Sequence, residues 1–223
     1  MKTVKLFVEG GGDRKSLRTE CRLGYNAFLQ KSGLSGYMPR IVASGSRNAA
    51  YSDYCTAISN GEDALLLVDS ESAVIIPMND STYESENIKM WKPWYHLLNR
   101  HGHTGEIADP WEKPSGASDE DCHLMVQSME SWFLADVATL KDYYGQRFHE
   151  NSLPSRPDIE SIPKDTVMSC LKAATRDTLK GSYDKGDHSF TILAKVDPAK
   201  IMSKSPWARR LVTLLSEKMR HLR

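Results

Sequence analysis

Apolar residues along this chain fall either in short unbroken runs or at three- and four-residue steps, and the two patterns alternate. Residues 4–8 form a β-branched and aromatic run that stops at Glu9 and three glycines, which predicts a buried strand ending in a tight turn. Over 14–30 the apolar positions Leu17, Cys21, Tyr25 and Phe28 keep to one helical face, with Asp13 as the expected cap. A turn at 33–36 leads to a second strand over 37–43. Ser44-Gly45-Ser46-Arg47 then opens a second helix, which Asn60-Gly61 closes. Residues 63–68 are almost continuously apolar, as expected of a strand buried on both faces of a parallel sheet.

Residues 72–122 read as a polar insertion with Trp91, Trp94 and Trp111, a short helix near 93–98 and a turn at Asp109-Pro110-Trp111. A fourth strand is predicted over 123–127, running into a helix over 129–143. The proline-rich stretch 154–163 connects to a helix over 164–179. A polar loop over 180–189 precedes an apolar helix capped by Asp187 or Ser189. The last helix starts at Ser205-Pro206-Trp207 and carries Leu211, Leu214, Leu215, Met219 and Leu222 on one face. The expected organisation is an α/β Rossmann-like domain over 1–145, with its insertion at about 72–122, and a helical extension over 146–223 packed on it.

Charge is balanced overall, with 29 basic and 29 acidic residues, so no global field draws the molecule to nucleic acid. Its distribution is uneven: residues 61–140 hold 15 acids against 4 Lys or Arg, and residues 200–223 hold 7 Lys or Arg with only Glu217 opposing them. The four cysteines lack C-x-x-C spacing, which argues against structural zinc and fits reduced thiols in a cytoplasmic protein. His96, His101 and His103 share no face and are expected in packing or surface roles.

The chemistry concentrates where strands end. Asp69 and Glu71 follow the third strand two residues apart, so on an extended backbone their carboxylates point the same way. Right-handed crossovers can set the first and third strand ends side by side, bringing Glu9, Asp69 and Glu71 to one rim. Three acids there repel unless a hard cation offsets them, so an Asp69→Asn change is expected to leave the fold intact or even raise its stability. Glu130 starts a helix on the same rim and can be either a dipole-matched cap or a further metal ligand. Gly10 and Gly11, Ser46 and Arg47, and Lys185 are candidate phosphate contacts, with Ser46 equally readable as an N-cap. His188 is a candidate for contact with the scissile group.

A glutamate ending the first strand in V-E-G and a D-x-E after a later strand resemble the signature of Toprim domains. Val8-Glu9-Gly10-Gly11-Gly12-Asp13, Val42-Ala43-Ser44-Gly45-Ser46-Arg47, Leu67-Val68-Asp69-Ser70-Glu71, His123-Leu124-Met125-Val126-Gln127-Ser128-Met129-Glu130-Ser131-Trp132-Phe133 and Gly186-Asp187-His188-Ser189-Phe190 resemble more closely an uncharacterised Toprim-related bacterial family, domain-of-unknown-function family 4276. The resemblance implies a Toprim-like fold in which Glu9 is the general acid/base and Asp69 and Glu71 hold Mg²⁺ or Mn²⁺. Glu71 stands where the commonest pattern has a second aspartate. It further implies a nuclease acting on DNA or RNA, with an ABC/AAA-type ATPase partner in phage defence. The alternatives are a non-catalytic scaffold subunit that binds an ATPase or nucleic acid, and a phosphoryl-transfer enzyme with a small substrate.

Overall fold

The structure is a computed structural model that describes residues 3–12, 14–36, 38–77, 87–102 and 105–221; Asp13, Tyr37, His103 and Leu222 lie outside them. Four strands, β1 (Lys5–Glu9), β2 (Arg40–Gly45), β3 (Ala64–Asp69) and β4 (Cys122–Met125), form one all-parallel sheet in the order β2-β1-β3-β4. The chain leaves β1 toward one edge and returns to its other side, so the order reverses between β1 and β3. In open α/β sheets that reversal opens a crevice at the carboxyl ends of the strands.

Strand alternation divides the interior. Leu6, Val8, Leu65 and Leu67 face one way, into a core with Tyr25, Phe28, Trp132, Phe190 and Leu211. Phe7, Leu66 and Val68 face the other way, into a second core built on Tyr54, Trp91, Trp94 and Trp111. The helices are α1 (Lys15–Leu29), α2 (Arg47–Ser59), α3 (Pro93–Asn99), α4 (Met129–Phe133), α5 (Val137–Tyr144), α6 (Lys164–Thr175), α7 (Lys185–Lys195), α8 (Pro198–Lys204) and α9 (Pro206–His221). Residues beyond 146 belong to these cores: Leu193, Ile201 and Leu215 are fully buried with the strands.

Several boundaries depart from the sequence reading for identifiable reasons. The expected helix over 129–143 is two, because Asp136 caps α5 by accepting from Thr139 N and Thr139 Oγ1, and also takes Asp197 N–H and Lys200 Nζ. α6 ends at Thr175, four residues early. α7 starts at Lys185 rather than after the polar loop, since Asp184, not Asp187 or Ser189, accepts the N–H groups of Gly186 and Asp187. α8 has no counterpart in the sequence reading. The fully buried Arg210 of α9 donates to the carbonyls of Ile88, Asp119 and Cys122, tying the last helix to β4 and to the crossover before it. His96 is fully buried and packs as expected: Ile75 N–H donates to its Nδ1, and its Nε2 donates to Ser70 O. Burial lowers its pKa to about 4, so it pins this loop as the neutral ring.

α1 and α7 meet at Gly24, where a β-carbon would lie 2.8 Å from the Phe190 carbonyl oxygen. Alanine would gain about 1 kcal/mol of helix propensity, but forcing two packed helices apart costs about 1–3 kcal/mol. Gly24→Ala is therefore expected to lower the melting temperature. An unchanged or higher value would show that the helices separate freely.

Glu160 caps α9, accepting from Ser205 Oγ at 2.5 Å and Trp207 N at 3.1 Å. Burial pushes its carboxyl pKa up to about 7, with Asp158 adding to the rise while the two hydrogen bonds and Arg209 oppose it. A raised carboxyl pKa means that the folded state holds the proton more tightly than the unfolded chain. This contribution is thus complete below about pH 4.5 and is lost as pH climbs to about 7. Denaturation at pH 5 and pH 8 is expected to show a fall of about 2 kcal/mol from this group. Glu160→Gln, which keeps the acceptor oxygen, should be the more stable protein at pH 8. Equal pH slopes in parent and variant would remove Glu160 as a source.

Candidate metal centre

β1 and β3 are hydrogen-bonded neighbours, and each ends in a carboxylate at the sheet reversal. Ligand oxygens of Glu9, Asp69 and Glu71 lie within 4.8 Å of one another, the convergence predicted from strand ends alone. The route to it differs from the prediction. β3 stops at Asp69, and Glu71 is not extended but left-handed, with φ 67°, its N–H donating to Gln127 O. A non-glycine residue held there costs about 1–3 kcal/mol, and such strain concentrates at functional sites.

Asp69 is the hub. Its side chain is 1% exposed, its Oδ1 accepts Met129 N–H at 2.8 Å, and its own N–H donates to Glu9 Oε2 at 3.2 Å. Two ammonium groups approach Oδ2: Lys164 Nζ and Lys185 Nζ, each at 3.4 Å. Lys164 also pairs with Glu71 at 2.7 Å, and Lys185 lies 3.7 Å from Glu130. Burial alone would lower the Lys164 ammonium, but Asp69 and Glu71 leave it raised; Asp69 foremost raises Lys185. The Glu9 carboxyl moves to about 7, chiefly through burial and then through repulsion from Asp69.

Lys164 escaped the sequence reading although it carried a signal. It is the first residue of α6, as Lys185 is of α7 and Arg47 of α2, and a cation at a helix start opposes the macrodipole. Here all three are turned on Asp69, with Arg47 Nε donating to its backbone oxygen at 3.1 Å.

The other predicted residues divide. Glu130 is fully buried, with Oε1 accepting from Tyr183 O–H at 2.9 Å and Oε2 without a partner among the described residues, so it is more than a surface cap. Lys185 joins the cluster as a partner of acids, not as a free phosphate contact. Arg47 stacks on Trp111 and shares Asp109 with Arg100, and burial lowers its pKa. Ser46 is the N-cap of α2, accepting from Ala49 N. Gly10 exchanges both backbone hydrogen bonds with Gly45, so its N–H is committed to that bridge and not to a phosphate. A β-carbon there would stand 2.7 Å from Phe190 Cζ, and one at Gly11 would stand 2.8 Å from Arg18 Cα, so close packing is reason enough for both glycines. His188 does not join the acids. Its Nδ1 accepts from Asp184 N–H and Tyr144 O–H, and its ring lies against Tyr143, Tyr144 and Tyr183. Its ring meets Tyr183, which holds Glu130.

The donor set fits a hard cation: three carboxylates, no sulfur and no imidazole, which suits Mg²⁺ or Mn²⁺ over Zn²⁺. Lys164 and Lys185 compete for the same oxygens. Among the described residues no helix is long and apolar enough to cross a membrane. No curated protein and no solved structure matches the chain. Residues 8–216 do match one family model, and the chain therefore belongs to the family described as domain of unknown function (DUF4276).

Proposed function

We propose that this protein is a Mg²⁺- or Mn²⁺-dependent nuclease of the Toprim type, hydrolysing phosphodiesters in DNA or RNA. The observation that carries the reading is the convergence of Glu9, Asp69 and Glu71 at the sheet reversal. Asp69 and Glu71 would hold the metal with Glu9 beside them, and Glu130 stands behind Lys185 as a reserve of negative charge. A bound divalent cation in such a site polarises the phosphodiester and offsets the charge that develops on it. Glu9 is the group placed to hold or pass a proton: it stands beside the two acids that would hold the metal, and burial and Asp69 raise its pKa to about 7 in the metal-free cluster. Lys164 and Lys185 keep the acids together, and their ammonium groups at the same rim would also meet the oxygens of a bound phosphodiester. An ABC/AAA-type ATPase partner in phage defence comes with this proposal through the Toprim resemblance.

The same lysines favour a second reading, a non-catalytic scaffold that binds an ATPase or nucleic acid. Two ammonium groups already neutralise much of the cluster, so its acids have a structural use. The deciding experiment incubates the purified protein with labelled single- and double-stranded DNA and RNA, with Mg²⁺, Mn²⁺ or chelator, with and without an ATPase encoded beside it. Metal-dependent cleavage supports the nuclease. Its absence throughout, together with measurable binding to the ATPase, selects the scaffold, and turnover of small phosphoesters alone selects a small-molecule phosphoryl-transfer enzyme.

A further inference from the structure

An open groove of about 480 Å³ runs between α1 and β2, lined by Arg18, Arg22 and Asn26 from the helix and by Arg40 from the strand. The three helix positions are four residues apart and form one stripe along about 12 Å of α1. Among the described residues, no carboxylate pairs with any of the three guanidinium groups; Arg22 donates only to Thr19 Oγ1, and Arg18 only to Gly12 O. That separates them from Arg47, Arg100, Lys164 and Lys185, each of which is held by an acid. In a chain of zero formal net charge, this is a concave, locally unbalanced positive surface.

The groove is also joined to the acid cluster. Arg18 Nε donates to Gly12 O at 2.9 Å, and its Nη2 lies 3.4 Å from where a β-carbon of Gly45 would be. Gly45 is the register partner of Glu9 and bridges to Gly10. Arg18 therefore sits at the strand end beside Glu9, and Arg22 and Arg40 extend the charge away from it along the sheet edge.

We propose that this groove binds one nucleic-acid strand through its phosphates and delivers it to the Glu9 end of the sheet. Two guanidinium groups about 6 Å apart along α1, with Arg40 facing them from β2, can each meet a phosphate of one strand, and each such contact steepens the salt dependence of binding. The direction of delivery rests on the nuclease reading; the binding itself does not. Arginines on an open sheet edge also discourage strand pairing, and that role alone would give them no measurable affinity for a strand.

Anisotropy titrations of a labelled single-stranded oligonucleotide, in chelator so that nothing is cut, decide between these roles across a salt series. Arg22→Ala/Arg40→Ala is expected to weaken binding on the order of tenfold and to flatten the slope of log affinity against log salt by about 1.4, two contacts' worth for a single strand. Arg22→Lys/Arg40→Lys should restore the slope. Arg40→Glu, an exposed single change, tests the same contact should the double variant melt early. Unchanged affinity and slope in the alanine pair, or in Arg40→Glu, would overturn the proposal. So would polyglutamate binding more tightly than the oligonucleotide, which would make the groove a surface for acidic peptides. Strand binding that depends on Arg22 and Arg40 without any cleavage would leave the groove standing and remove the nuclease. Cleavage with unaltered binding in these variants would do the reverse.

Discussion

Glu9→Gln is expected to cut nucleic acid at least about a hundredfold more slowly than the parent, the loss usual when a positioned acid/base group can no longer exchange its proton. The side chains are nearly isosteric, and glutamine can still accept the Asp69 N–H that Glu9 Oε2 takes at 3.2 Å. Removing the Glu9 charge also removes a repulsion on Asp69, so the variant should melt no lower than the parent. That combination, a stable protein that has lost its rate at saturating substrate, separates proton transfer from damage to the fold. His188→Ala is the matched control, since His188 is one side chain removed from Glu130 and should leave most of the rate. Parent-like cutting by Glu9→Gln would take Glu9 out of the chemistry.

Asp69→Asn is expected to weaken Mg²⁺ or Mn²⁺ binding by at least tenfold to a hundredfold, measured by calorimetric titration. The sequence alone pointed to a neutral or favourable effect on stability, as one of three repelling acids is discharged. The contacts of Asp69 argue for the opposite sign. Asp69 Oδ2 lies between two ammonium groups, and its removal leaves both lysines short of a counter-charge. Breaking a fully buried pair costs about 3–5 kcal/mol, but here Lys164 keeps Glu71, Lys185 keeps Glu130, and both lysines are partly exposed. The expected destabilisation without metal is therefore about 1–2 kcal/mol, and a variant more stable than the parent would show that repulsion among the acids outweighs the lysines.

What could be read before the fold was known follows from which signals are local. Strand ends are local: an apolar run stopping at Glu9, and another at Asp69, placed both acids on one rim once parallel crossovers were assumed. The left-handed Glu71 was not local in this sense, because its turn is fixed by a hydrogen bond to Gln127, 56 positions away. The partners of the acids were likewise beyond reach. Lys164 and Lys185 arrive from helices about a hundred residues downstream, and only their awkward place at a helix start hinted that something negative awaited them. The glycines show the opposite error. A Gly10–Gly12 run next to a carboxylate invites a ligand, yet the bridge to Gly45 and the closeness of Phe190 and Arg18 account for Gly10 and Gly11 through packing. The early break of the helix after Met129 turned on Asp136 serving as a cap, a choice that Lys200 and Asp197 stabilise from outside the segment.

Arg210 sets an order of events during synthesis. Its guanidinium serves carbonyls at Ile88, Asp119 and Cys122, between 88 and 122 positions upstream. A ribosome delivers those carbonyls long before residue 210, and until then this buried partner does not exist for them. The first three strands, with α1 and α2 between them, can pair as they emerge. β4 can pair with β3 as it emerges, but the carbonyls of Ile88, Asp119 and Cys122 lack this buried donor until α9 is made, so this end of the fold is completed last.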